Sequence, residues 1–218
     1  MPTINSEDRN GKERRFGRRE GVDTMNSTQK RVILASMSPR RTELLTKAGI
    51  KHEVIPSTVT EGTDGRETPS DYVARLAREK AMDVARQHRD AIVIGADTVV
   101  VLNDIILEKP TDREDAKRML ERLSGSTHEV LTGVSIIGAT QDLFVTTTRV
   151  TFSEIPETWL ADYLDSTEPY DKAGAYGIQG SGGLFVEGIE GDFYNVVGLP
   201  IHPLVKTLDR HGVTPRFL

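Results

Sequence analysis

Residues 91–102 read Ala-Ile-Val-Ile-Gly-Ala-Asp-Thr-Val-Val-Val-Leu, and only Gly95, Asp97 and Thr98 interrupt the apolar run. A stretch this rich in Val and Ile predicts a central strand. Toward the C-terminus, Asn103-Asp104 predicts a turn into Ile105–Leu107, which Lys109-Pro110 closes. Thr111 to Glu114 has the spacing of a capping box, starting a helix that runs through Leu123. His128–Ile137 and Leu143–Phe152 read as paired strands across Thr140-Gln141-Asp142, followed by a helix containing Trp159 and Tyr163. Leu199-Pro200 opens a closing helix. Toward the N-terminus, Thr68-Pro69-Ser70-Asp71 is a second capping box, and its helix carries Val73, Leu76, Ala77 and Val84 at helical spacing. Before it, Val32–Ala35 is a buried-strand run. Ser38-Pro39 then supplies an N-cap hydroxyl and a proline at the first helical position, and Gly49 ends that helix. Strands alternating with helices, with hairpins among them, indicate an α/β domain built on a mixed, twisted sheet with flanking helices.

Residues 1–30 stand apart. They hold seven Lys or Arg, five Asp or Glu and three Gly, with almost nothing apolar, and so read as a disordered extension to a domain spanning 31–218. The extension lacks the apolar segment of a secretory signal, and its acids are unusual for a transit peptide. The 218 residues carry a net charge of -5, which moves to about -7 without the extension. That balance argues against a protein that grips nucleic acid through overall charge. No apolar run approaches the ~18 residues of a membrane span. The absence of cysteine removes disulfides, thiolate metal sites and a cysteine nucleophile. The expectation is a cytoplasmic chain with no nucleic-acid or membrane partner.

Five constellations could carry chemistry. Ser36-Met37-Ser38-Pro39-Arg40-Arg41 lies at a strand-to-helix junction. Cations in a first helical turn oppose the dipole, so Arg40 and Arg41 there suggest an anionic ligand; two solvated arginines on a capped helix are the plainer reading. Lys80 shares a stripe with Leu76 and Val84, so it either reaches past the core to water or points at a counter-charge. Asp97 within its apolar run must be paired, hydrogen-bonded or metal-bound, and Gly95-Ala96 before it leave room for close approach. Glu108-Lys109-Pro110 places Lys109 at a strand end. Residues 171–180 (DKAGAYGIQG) add Lys172, turns able to surround an anion, and Gln179, whose carboxamide both donates and accepts as base reading requires. The five histidines form no zinc-binding pair, Ser38 has no evident base, and neither a Walker loop nor a G-x-S-x-G elbow is present. A polyphosphate bound with a divalent metal would need both the cations and the acids.

The blocks LASMSPRRTELLTKAGI, LAREKA, GADTVVV, ILEKP, RLSGSTHEVLTGV, DKAGAYGIQGSGG and NVVGLP, in this order from about Val32 to about Pro200, resemble the Maf family of nucleoside triphosphate pyrophosphatases. The resemblance implies a fold akin to the inosine triphosphate pyrophosphatases, with two lobes around a central cleft, usually as a homodimer. It implies hydrolysis between the α and β phosphates, giving a nucleoside monophosphate and pyrophosphate; the divalent metal expected with such a polyphosphate is Mg²⁺ or Mn²⁺. It implies Asp97 as general base, Arg40, Arg41, Lys80 and Lys109 in the triphosphate site, and Glu61 as a contributing acid; Ser38 at the helix start and Lys172 in the glycine-rich loop complete the expected substrate-binding set. Arg40, Thr98 and Gln179 match the subgroup acting on dTTP and UTP. Maf proteins are also associated with septum inhibition, so a non-catalytic, nucleotide-binding regulator of cell division is the alternative.

Overall fold

The computed structural model describes residues 30–62 and 67–216. The expected extension, residues 1–30, lies outside these except for Lys30, whose ammonium donates to the His211 carbonyl oxygen at 2.7 Å. The elements run β1 (Val32–Leu34), α1 (Pro39–Lys47), β2 (Glu53–Val54), α2 (Pro69–Ala85), β3 (Ile92–Leu102), β4 (Ile105–Leu107) and α3 (Arg113–Leu123). They continue through β5 (Thr127–Ile137), β6 (Gln141–Phe152), α4 (Glu157–Leu164), β7 (Val186–Glu190), α5 (Phe193–Val197) and α6 (Ile201–Arg210). Among the described residues, seven strands make one mixed sheet in the order β2-β1-β3-β5-β6-β7, with β4 pairing β3.

Strand alternation sends the side chains of β3 to opposite faces. On one face, Ile92, Ile94 and Ala96 join a core with Leu44 and Leu45 of α1 and Leu204 and Leu208 of α6. Farther along that face, Val100 and Leu102 join a second core with Leu120 and Leu123 of α3 and Leu160 and Leu164 of α4. Thr98 falls between the two cores, so the lobes part at this residue. On the opposite face, Val93 packs with Ala81 and Val84, and Val99 and Val101 pack with Tyr72, Val73 and Leu76, all from α2. The sheet is therefore covered by helices on both sides, as expected for an α/β domain.

One edge of β3 is fully paired by β5, from Val93 to Val101. The other edge is shared: parallel β1 takes Ile92–Ile94 and antiparallel β4 takes Val100–Leu102. Among the described residues no strand pairs with the intervening stretch on that edge. The chain leaves β1 into α1 on one side of this gap, and Glu108–Pro110 leaves β4 on the other. A crevice beyond the C-terminal end of a parallel strand is a common ligand position in α/β sheets.

Several local expectations shift. Ser38 precedes α1 but makes no side-chain cap; instead its own N–H donates to Ser36 Oγ at 3.2 Å. The capping residue of α3 is Asp112, which accepts from the Asp115 N–H at 2.8 Å, while the Asp115 carboxylate reaches back to the Thr111 N–H. The box thus starts one residue later than Thr111. The β5–β6 turn lies at Gly138–Thr140, closed by Gly138 N–H to Thr140 carbonyl at 2.9 Å, and places Gln141 and Asp142 in the strand. Lys109 lies beyond the end of β4, not within it. The Thr68 cap holds as expected, accepting from Asp71 N–H at 3.1 Å. Asn103 and Asp104 both take positive φ, the left-handed pair of a tight hairpin.

Candidate active site

The site is set by how closely α2 lies on the sheet. A Cβ at Gly95 would meet the Ala77 carbonyl oxygen and, at 2.6 Å, the Ala81 nitrogen. A Cβ at Gly133, the cross-strand partner of Asp97, would meet the Val73 carbonyl. The space beside Gly95 is therefore filled by helix backbone, not left for a ligand as the dipeptide Gly95-Ala96 suggested. This close crossing brings Lys80 to Asp97: Nζ donates to Asp97 Oδ1 at 2.6 Å, with the two side chains 9% and 8% exposed. The same ammonium donates to Glu61 Oε1 at 2.6 Å, and Lys109 Nζ lies 3.7 Å from the other Glu61 oxygen. Lys80 thus points at a counter-charge and does not snorkel to solvent.

Burial pushes the Asp97 carboxyl above its ordinary range, opposed by the charge and hydrogen bond of Lys80 and the charge of Arg41. Half-burial pushes Glu61 the same way, but its bond to Lys80 and the charges of Lys80, Lys109 and Arg41 outweigh this and hold it below the usual value. The two carboxylates on one ammonium are therefore shifted in opposite directions.

The gap in the β3 edge lets both faces of the strand reach one cleft of about 730 Å³. Its charged part holds Glu61, Lys80, Asp97 and Lys109. The Thr98 face adds Val100, Val130, Tyr176, Ile178 and Gln179, with the Arg41 guanidinium bonded to Thr98 among them. Ser38, Arg40, Arg41 and Lys172 also line it. Every candidate residue read from the sequence therefore borders a single hollow. Their availability differs. Arg40 pairs across the mouth with Asp171 at 3.1 Å. Lys172 donates to the Glu168 carbonyl at 2.7 Å and pairs with Asp171. Arg41 is buried, with Nε donating to the Gly198 carbonyl at 2.8 Å and its two terminal nitrogens donating to Ser36 Oγ at 3.1 Å and Thr98 Oγ1 at 2.9 Å. Burial draws it down from the usual guanidinium range, though arginine stays charged. Much of its fork is engaged by the cleft wall, unlike the solvated side chain one reading of the sequence allowed.

The Maf-like protein family matches residues 31–211. The chain belongs to the Maf-like family. It is 52% identical over 191 residues to a dTTP/UTP pyrophosphatase of Exiguobacterium sibiricum, covering 87% of this chain and 97% of that one. It is also 52% identical over 183 residues to a dTTP/UTP pyrophosphatase of Koribacter versatilis, covering 84% and 95%. Among solved structures it is similar to the Ham1 protein of Staphylococcus aureus, at 15% identity and a TM-score of 0.40 over 56% of this chain and 72% of that one.

Three residues that organise this Maf-like site escaped the sequence reading. Glu168 holds the glycine-rich loop: Oε2 accepts from Ser181 N–H at 2.9 Å, and Oε1 accepts from Gly182 N–H and the Tyr163 hydroxyl, each at 3.1 Å. Tyr72 donates from its hydroxyl to Glu108 Oε1 at 2.7 Å, tying α2 to the chain after β4. Thr132, fully buried on β5, contacts Thr98 Oγ1 at 2.9 Å. Glu168 precedes Pro169 just before the glycine-rich stretch, which was its only signal. Thr132 had none beyond a polar residue at an inward position of a strand.

Proposed function

We propose that this Maf-like chain hydrolyses dTTP and UTP to the nucleoside monophosphate and pyrophosphate. The observation that carries this reading is a single cleft that brings several cations and a buried carboxylate together with apolar side chains and a carboxamide. A nucleoside triphosphate has the matching polarity, charged at one end and planar and uncharged at the other. In the reaction, a water oxygen bonds to the α-phosphorus, the bond from that phosphorus to the bridging oxygen breaks, and its electron pair leaves with pyrophosphate. Asp97 takes the water proton, and an upward-shifted carboxyl retains that proton better than an ordinary one. Lys80 holds Asp97 in place, while Arg40, Lys109 and Lys172 neutralise phosphate oxygens, with Ser38 at the helix start beside them. Arg41 acts from the wall.

Glu61 and Asp97 fit a divalent cation in chemistry, since both are hard oxygen donors in one cleft. Among the described residues no cluster of three metal-ligating side chains occurs, and Mg²⁺ is often held by one or two carboxylates plus substrate phosphates. Bound there, Mg²⁺ or Mn²⁺ would supply charge neutralisation along the phosphate chain.

The catalytic domain is residues 31–218, with 1–30 as an appendage, acting as a cytoplasmic homodimer. None of the described helices is long and apolar enough to cross a membrane. The test is pyrophosphate release across the common nucleoside triphosphates, with and without chelator. dTTP and UTP should lead and chelator should stop turnover, and Asp97→Asn should lose on the order of 10²-fold or more. Equal rates on ATP and dTTP would defeat the specificity, and nucleotide binding without turnover would favour a regulator instead.

A further inference from the structure

The hydrogen bonds behind Thr98 have only one consistent direction, and that direction determines what Thr98 can offer a ligand. Thr98 and Thr132 are cross-strand partners on β3 and β5, pointing to the same face of the sheet, with Thr98 lining the cleft and Thr132 buried behind it. Their hydroxyl oxygens lie 2.9 Å apart, a contact in which either could donate. Thr132 Oγ1 also lies 3.1 Å from the Asn195 carbonyl oxygen. A carbonyl has no proton, so Thr132 must direct its own there. The second lone pair of the same carbonyl accepts the Gly198 N–H at 3.0 Å. With the Thr132 proton committed, the contact between the two threonines carries the proton of Thr98. Arg41, always a donor, occupies one lone pair of Thr98 Oγ1 at 2.9 Å. What remains on Thr98 is a single lone pair and no proton.

We infer that Thr132 is a specificity-determining positioning residue, which makes Thr98 an acceptor toward the cleft and so selects a substrate that presents a donor to it. This rests on the nucleotide reading above. Besides Arg41, Thr98 shares its face of β3 with Val100, Val130, Tyr176 and Ile178, apolar walls that suit a planar ring better than a phosphate, so the donor assigned is the ring N3–H of uracil or thymine. Cytosine has a lone pair at that ring position, and two lone pairs facing each other would leave both groups unpaired in a partly buried site. Relieved of its partner on β5, the Thr98 hydroxyl could turn and donate, accepting either ring.

The experiment compares kcat/KM for dTTP and dCTP in the wild type, Thr132→Val and Thr132→Ser. Valine preserves shape and removes the acceptor, so the dTTP:dCTP ratio should fall about tenfold, the discrimination of one hydrogen bond. Serine keeps the hydroxyl and should keep the ratio. A folded Thr132→Val with an unchanged ratio overturns the proposal, whereas equal losses on both nucleotides would mark Thr132 as merely structural and overturn it too. Two substrate analogues test the same claim on the wild-type protein without any substitution. N3-methyl-dTTP, which lacks the donor, should be turned over about tenfold or more less efficiently than dTTP; equal efficiency overturns the proposal. Dideoxy-TTP, which lacks both sugar hydroxyls, should keep the efficiency of dTTP, and a collapse with it would place the donor on the sugar and overturn the assignment to the base. A wild-type chain that turns over neither nucleotide overturns the functional reading itself, an outcome distinct from the others.

Discussion

Replacing Lys80 with methionine keeps the length and apolar stem of the side chain while deleting the charge that Asp97 and Glu61 share. Lys80 and Asp97 are 2.6 Å apart with side chains 9% and 8% exposed, so water screens neither. Removing one partner of such a pair costs ~3–5 kcal/mol, because the survivor is left charged and buried. Glu61 is 45% exposed, so its loss adds less than ~1 kcal/mol. Protonation caps the penalty. Burial already raises Asp97 above its reference value of 3.8, and without Lys80 it rises further. The folded state then holds a proton that the unfolded chain has released, so stability falls as pH climbs, at about 1.4 kcal/mol per unit, until the folded pKa is reached. The Glu61 contribution has the same direction, since its depressed pKa stabilises the wild type only above the acid range. Relative to wild type, Lys80→Met should therefore lose no more than about 1.5 kcal/mol at pH 5 and about 3 kcal/mol or more at pH 7. Urea unfolding at both pH values, with matching m-values, measures this directly. An equal loss at pH 5 and pH 7 would show that Asp97 is not the group left unpaired.

Gly95→Ala drives a methyl into the backbone of α2, with the Ala81 nitrogen at 2.6 Å. It should destabilise by about 3 kcal/mol, at the upper end of overpacking, and thermal unfolding will report it; a neutral result would mean that α2 does not lie so near. His128 is buried against Tyr176, bonded Nε2 to hydroxyl at 2.8 Å, and burial pushes its pKa down to about 4. A base depressed in the folded state stabilises fully above its unfolded value and loses that stabilisation as pH falls. About 3 kcal/mol should vanish between pH 6.5 and 4, and denaturant titrations of His128→Gln should lack that slope. Arg40 and Asp171 pair across the cleft mouth at 29% and 63% exposure, a weak bond that competes with phosphate for the guanidinium. Asp171→Asn should lower KM for dTTP roughly two- to fivefold with kcat little changed, whereas a raised KM would show that Asp171 helps bind substrate.

The sequence alone determined what depends on short-range order. The apolar run at 91–102, the Thr68 cap and the turn at Asn103-Asp104 follow from local period and turn chemistry, and each has its counterpart in the fold. Arg40, Arg41, Lys80 and Asp97 were legible as charges in costly places, at a helix start, on an apolar stripe and in a strand, whereas Glu61 and Thr98 came only with the family resemblance. Direction and pairing were not legible. Gly95 signalled a close approach without naming the partner, and only the crossing of α2 decided that helix backbone, not ligand, occupies the space. The same crossing decided that Lys80 turns inward to Asp97, and the shared edge of β3 decided that both faces of one strand open into one cleft. The polarity of Thr98 came from Arg41, Thr132 and Asn195, on three other elements. Local chemistry sets which groups must find a partner, but which partner each finds depends on the packing of segments far apart in the chain, and no local pattern carries that information.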